Sequence, residues 1–171
     1  MHENYQKQCG SSFSNTPLKS LAEMIEENAK KIPRDLPGER KTMAVLNFIY
    51  EHVKKGNGLA ILPHPFWIYP QQQVPEDFME YIYKEKPFDA FEVIGGSRNY
   101  RTNGFQTAFY YEMKAKGIVH PVVGSTDSHS SVNNKNAYVA STMVFSPANE
   151  RVAIIDSIKN FYSIAIDGIS K

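Results

Sequence analysis

Three short runs of strand-forming residues, Leu59 to Leu62, Phe88 to Ile94 and Ile118 to Val123, are separated by stretches with helical periodicity. No other feature constrains the fold as strongly, because strands that alternate with helices build βα units and a largely parallel sheet. The first run, LAIL, has no polar alternation, as expected of a strand buried on both faces. Each run is cut off by Pro or Gly, and each is followed by polar residues able to do chemistry.

The boundaries can be read from local rules. Thr16 before Pro17 reads as an N-cap with proline in the first turn, and Leu18, Leu21, Ile25 and Ala29 carry a helix to about Lys31. Pro33, Pro37 and Gly38 break it. A second helix from Glu39 has Met43, Leu46, Ile49 and Val53 on one face and stops at Gly56 or Gly58. Between the first two strands, Pro75-Glu76-Asp77 opens a helix with Phe78, Tyr81 and Ile82 on its apolar face. Between the second and third, Asn103 is expected to cap a helix carrying Phe105, Phe109 and Met113, ending at Gly117. A strand over Ala137 to Phe145, a helix from Ser146-Pro147 with Val152, Ile155 and Ile158, and a strand over Tyr162 to Ile166 complete the order. With 171 residues, one domain or a large piece of one is expected: a helical lead-in over 1–57, ligand-bearing strands over 58–145, and a closing helix and strand over 146–171.

In parallel β/α architectures, functional groups collect beyond the C-terminal ends of the strands. His64 follows LAIL between two prolines, Glu92 lies late in DAFEVI, and Asp127 and His129 follow PVVG. Residues two apart on an extended backbone point the same way, so Asp127 and His129 are delivered together. Imidazole and carboxylate suit a divalent metal. Taken singly, each has a plainer reading: His64 holding its turn, Glu92 a surface acid paired with Arg98 or Arg101, Asp127 capping a turn. Together, His64, Asp127 and His129 read as metal ligands. Arg98 and Arg101 could grip an anion, since guanidinium pairs bidentately with phosphate, or could face solvent. Phe66, Trp67 and Tyr69 read as a pocket wall beside His64. His120 lies at the opposite end of its strand, where a packing or surface role is expected. His52 is expected in solvent, and nothing places His2.

The remaining features mostly exclude. A net charge of +1 gives no reason to expect nucleic acid or an anionic membrane as partner. No apolar run approaches the roughly 20 residues of a membrane span, and Met1 to Thr16 lacks the apolar centre of a secretory signal. A single cysteine, Cys9, excludes an internal disulfide. A cytoplasmic location is the weak expectation that follows.

At its strand ends the chain resembles the C-terminal half of the polymerase and histidinol phosphatase (PHP) superfamily. LPHP at Leu62 to Pro65 is similar to that family's strand-then-His-Pro motif, and FEVIGG at Phe91 to Gly96 to its strand with Glu followed by Asn or Gly. GSTDSH at Gly124 to His129 is similar to its closing Gly-Ser-Asp-x-His, with one extra residue before the aspartate. The resemblance runs from about Gly58 to Phe145 and implies part of a distorted, TIM-like, seven-stranded β/α barrel with parallel strands. It also implies two or three divalent metals (Zn, Mn or Fe) in the complete family site and hydrolysis of a small-molecule phosphate ester. His64, Asp127 and His129 would be ligands, with Asp127 also a base. Arg98, Arg101, Trp67 and Glu92 would shape the substrate pocket.

The family's N-terminal His-x-His, and the His, Glu and His after it, have no counterpart here. The expectation is therefore a barrel whose N-terminal half is missing, with an incomplete metal set and open strand edges that invite a homo-oligomer. Two alternatives stay open: a metal-dependent amidohydrolase, and a non-catalytic PHP-like structural or interaction module.

Overall fold

A computed structural model of the chain describes residues 18–66, 74–95, 100–127 and 140–168, with helical side chains described from Leu21 and from Thr102 onward. The chain divides after Gly56 into two units.

The first unit contains two helices. α1 (Leu18–Ala29) keeps Leu21, Ile25 and the buried Ala29 on one face at intervals of four. α2 (Pro37–Lys55) buries Met43 and Ala44, while Ile49, expected on its apolar face, is 42% exposed. Pro37 sits at the start of α2, where its missing N–H removes no helical hydrogen bond, and Leu36 before it is extended. Arg34 Nε donates to Glu39 Oε2 at 2.6 Å and neutralises a buried carboxylate beside the inter-helix turn. His52 is a correction: it is half-buried, with its ring 4.1 Å from that of Phe48 and its Nδ1 2.8 Å from the Phe48 carbonyl. This tilted ring contact, one helical turn apart, covers part of the imidazole.

In the second unit, β1 (Ile61–Leu62), β2 (Ala90–Ile94) and β3 (Val122–Gly124) pair in parallel in that spatial order. α3 (Glu76–Glu85) lies between β1 and β2 in the chain, and α4 (Tyr100–Ala115) between β2 and β3. Ile61 aligns with Ala90 and Phe91 with Val122, so the three C-terminal ends lie side by side. β1 departs from expectation. It is two residues long at the margin of the sheet, and Ile61 is 43% exposed, so burial on both faces does not hold. The third strand also begins at Val122, four residues later than its apolar run suggests, because Pro121 has no N–H to give a ladder.

The helices cover the sheet through an aromatic cluster. Tyr83 of α3 is fully buried, with ring centroids 5.8 Å from Phe88, 5.3 Å from Phe91, 5.3 Å from Phe109 and 4.3 Å from His120. The contacts with Phe91, Phe109 and His120 are edge-on, and pairs of this kind add to the apolar burial. Met113 of α4 is buried as expected, but Phe105 is 58% exposed. Ala90 points to the face opposite Phe91 and packs with Val123 and with Ile158 of α5 (Arg151–Lys159). By the same alternation Glu92 shares the face of Ala90. Val152, expected on the apolar face of α5, is 60% exposed.

β4 (Ser141–Val144) and β5 (Ser163–Ile166) are antiparallel, which corrects the all-parallel expectation. α5 ends at Asn160, and Phe161 at φ +67° turns the chain back beside the end of β4, where Phe145 N donates to Tyr162 O at 2.9 Å. A parallel pair would require the chain to return to the start of β4 first. Side-chain hydroxyls hold this ribbon against β3. Thr142 Oγ1 accepts from Gly124 N at 2.9 Å and donates to Gly124 O at 2.8 Å, and Ser163 Oγ donates to Val122 O at 2.9 Å. The approach needs glycine, since a Cβ on Gly124 would lie 2.7 Å from the Ser141 carbonyl oxygen. The described residues form a mixed α/β fold with two sheets, and these do not close into a barrel. No helix among them is long and apolar enough to cross a membrane.

Candidate functional site

β2 carries the centre of the site. Its pairing with β3 matches Glu92 with Val123 and Ile94 with Gly124, leaving Val93 as one extra residue. A bulge of this kind bends a strand locally and re-aims the side chains beside it. Glu92, directly before the bulge, is 2% exposed. Burying a carboxylate without partners would cost several kcal/mol, on the order of the desolvation of an ion. Here three donors converge on it. His64 gives both its backbone N–H, at 2.6 Å, and its ring Nδ1, at 2.9 Å, to Glu92 Oε2. Ser125 Oγ donates to Glu92 Oε1. Of the two readings weighed for Glu92, the surface acid does not hold.

A carboxylate only accepts hydrogen bonds, so Nδ1 carries the proton in the His64–Glu92 pair. The lone pair of the neutral ring then belongs to Nε2. This is the arrangement by which a metal-binding histidine is held in one tautomer and one orientation by a carboxylate behind it. His64 is 29% exposed at its side chain, beyond the end of β1 and between Pro63 and Pro65. Its φ of +21° lies outside the main regions open to a side-chain-bearing residue. Asp127, three residues past β3, is also left-handed at φ +51°, a conformation aspartate tolerates better than most. Backbone outliers held in place by their surroundings cluster at functional sites.

Behind the carboxylate the packing is close. A Cβ on Gly95 would fall on the Glu92 carboxylate, so the residue there must be glycine for Glu92 to sit as it does. Gly95 N donates to Asn103 Oδ1 at 3.0 Å, and Gln106 Nε2 to Val93 O at 3.3 Å. Asn103 is therefore not the helix cap expected of it. α4 starts at Tyr100, and Asn103, on its first turn, faces inward to hold the end of β2. Ser125 N donates to Ile94 O at 2.9 Å, which continues the β2–β3 pairing to the residue whose hydroxyl meets Glu92.

No family model matches this chain, and no curated protein matches it. Its structure is similar to that of a two-domain protein from Bacteroides vulgatus described as containing a predicted PHP-like metal-dependent phosphoesterase. The likeness has a TM-score of 0.50 at 17% identity, and covers 69% of this chain and 34% of that one. It is a likeness of fold. This chain spans about a third of the length of that protein.

Of the residues expected at the site, His64 and Glu92 are in direct contact, and Asp127 lies on the loop that Ser125 begins. His129, Trp67 and Arg98 lie outside the described residues, and Arg101 is described only by its backbone, in the first turn of α4. His120 sits away from the site, buried, with Nε2 2.8 Å from the Tyr83 carbonyl. Burial holds its pKa below the usual imidazole range, helped by the Lys86 charge and opposed by the bond to Tyr83. Ser125, Gly95 and Asn103 were not expected as site residues. The only available signals were the Ser inside GSTDSH and the paired glycines after a strand holding a glutamate.

Proposed function

We propose that the second unit carries part of the metal centre of a PHP-type phosphoesterase. The carrying observation is the ring of His64, hydrogen-bonded through Nδ1 to the buried carboxylate of Glu92. Three parallel strands whose C-terminal ends bring His64, Glu92 and the Asp127 loop to one end of the sheet support the reading. So does the likeness of fold to a protein described as PHP-like and metal-dependent.

In this reading His64 and Asp127 are ligands, joined by His129 from the same closing motif. Glu92 orients His64, because its carboxylate is occupied by donors of this chain and has little surface with which to meet a substrate. A divalent ion held there would lower the pKa of a bound water to about 7 and offset the charge of a phosphate ester. Asp127 would accept the proton given up by the attacking water. Arg98 and Arg101 would hold the non-bridging phosphate oxygens, and Trp67 would wall the pocket.

The test is hydrolysis of p-nitrophenyl phosphate, against a panel of p-nitroanilides, with added Mn²⁺ or Zn²⁺, by a protein in which this unit is joined to the rest of the metal centre. The proposal expects metal-dependent turnover of the phosphate ester that Asp127→Asn abolishes. Cleavage of the amides alone would favour an amidohydrolase, and metal binding with neither turnover a non-catalytic module. Either result would overturn it.

A further inference from the structure

We propose that Ser125 is a positioning residue that ties the loop of Asp127 to the orientation of His64 through Glu92, a role that rests on the metal-binding reading of His64. The two oxygens of Glu92 serve different elements. Oε2 takes both donors of His64 beyond β1, and Oε1 takes the hydroxyl of Ser125 beyond β3. Ser125 is itself fixed by its backbone bond to Ile94 O at 2.9 Å, and Asp127 follows two residues later.

A terminal carboxylate torsion is broad and roughly two-fold, so its plane is set only by its partners. With donors on Oε2 alone the group can rock about that oxygen. A donor on Oε1 fixes the plane, and with it the direction from which Nδ1–H of His64 must approach. Gly95 leaves the room for this plane, and Asn103 holds Gly95 in place. The serine hydroxyl is thus the adjustable member of a line running Ser125, Glu92, His64. A shift of the closing loop is felt at His64, and the reverse.

Two measurements on the full chain test this. The first is zinc affinity by chelator competition. Ser125→Ala is expected to weaken it about tenfold, the lower end of what loss of an outer-shell partner costs, and Ser125→Thr to restore it. The second is the ¹⁵N shifts of the His64 ring in metal-free protein at one fixed, mildly alkaline pH. Wild type should show the Nδ1–H tautomer alone, and Ser125→Ala a mixture with Nε2–H. A merely structural role would leave the tautomer unmoved.

Ser125 is exposed, so its truncation removes little packing. Should the alanine variant fail to fold, Ser125→Val, close in shape to threonine but without a hydroxyl, serves the same comparison. Zinc affinity within twofold of wild type together with an unchanged tautomer would overturn the proposal. If wild type and His64→Ala take up zinc alike, the metal-binding reading falls. The tautomer measurement then decides the role of Ser125 alone: a mixture supports it and a retained Nδ1–H form overturns it.

Discussion

Glu92 is the residue on which most of the site depends. Replacing it with Gln keeps its shape but turns one acceptor oxygen into a donor, which must then face either the His64 pair or Ser125. Glu92→Gln is expected to lower zinc affinity about 10- to 100-fold. It should also cost about 1–3 kcal/mol of stability, the range for leaving a buried polar group unsatisfied. Isothermal titration and urea unfolding measure the two. Gly95→Ala should separate them. Its Cβ meets the flexible end of Glu92 and not backbone, so the carboxylate can move aside at modest cost to folding, but only by leaving His64. Zinc affinity should fall by a similar factor with a smaller change in the unfolding midpoint.

His120 belongs to the same scale but to another property. Its folded pKa lies below the unfolded value of about 6.5, so the unfolded chain binds more protons in the window between them. Stability therefore rises with pH through that window, and His120 imposes no penalty above about pH 7. As pH falls through about 6.5 the penalty grows until the folded pKa is reached. His120→Gln, whose Nε2 can still donate to the Tyr83 carbonyl, should flatten the dependence of the unfolding free energy on pH below about 6.5. An unchanged slope would remove His120 from the account.

Among the elements, the joint between β3 and the β4–β5 ribbon is the most open to test. It uses hydroxyls of Thr142 and Ser163 where a continuous sheet would use a backbone ladder. Thr142→Val and Ser163→Ala together remove three hydrogen bonds and leave β3 backbone groups without those partners. A loss of about 2–4 kcal/mol is expected, at roughly 1 kcal/mol or more per bond, read by chemical denaturation.

This joint also shows where reading from sequence stops. Helical period located the five helices of the described residues, because a face repeating at three and four residues is a local property. Asn103 is not the cap expected of it because its partner, Gly95 N, lies eight residues earlier at the end of β2. The antiparallel run of β5 depended on where α5 releases the chain, which no period encodes. At the site, residue types and spacing marked out His64, Glu92 and Asp127. The hydrogen bonds that make Glu92 an orienting group span 28 and 33 residues, and only the folded chain brings those partners together.

For the molecule as a whole, the contacting residues His64, Glu92, Ser125, Gly95 and Asn103, and the loop of Asp127, all belong to the unit that begins at Asn57. A chain shortened to residues 57–171 is therefore expected to keep zinc affinity within a few-fold of the whole, provided circular dichroism shows it folded. Loss of binding by a folded 57–171 chain would mean that the first unit supplies part of the site. The central claim concerns one atom. Crystals soaked with Zn²⁺ and measured at the zinc absorption edge should place an anomalous peak about 2.0–2.1 Å from Nε2 of His64, with Nδ1 still on Glu92. Zinc bound elsewhere, with no peak within coordinating distance of His64, would contradict it.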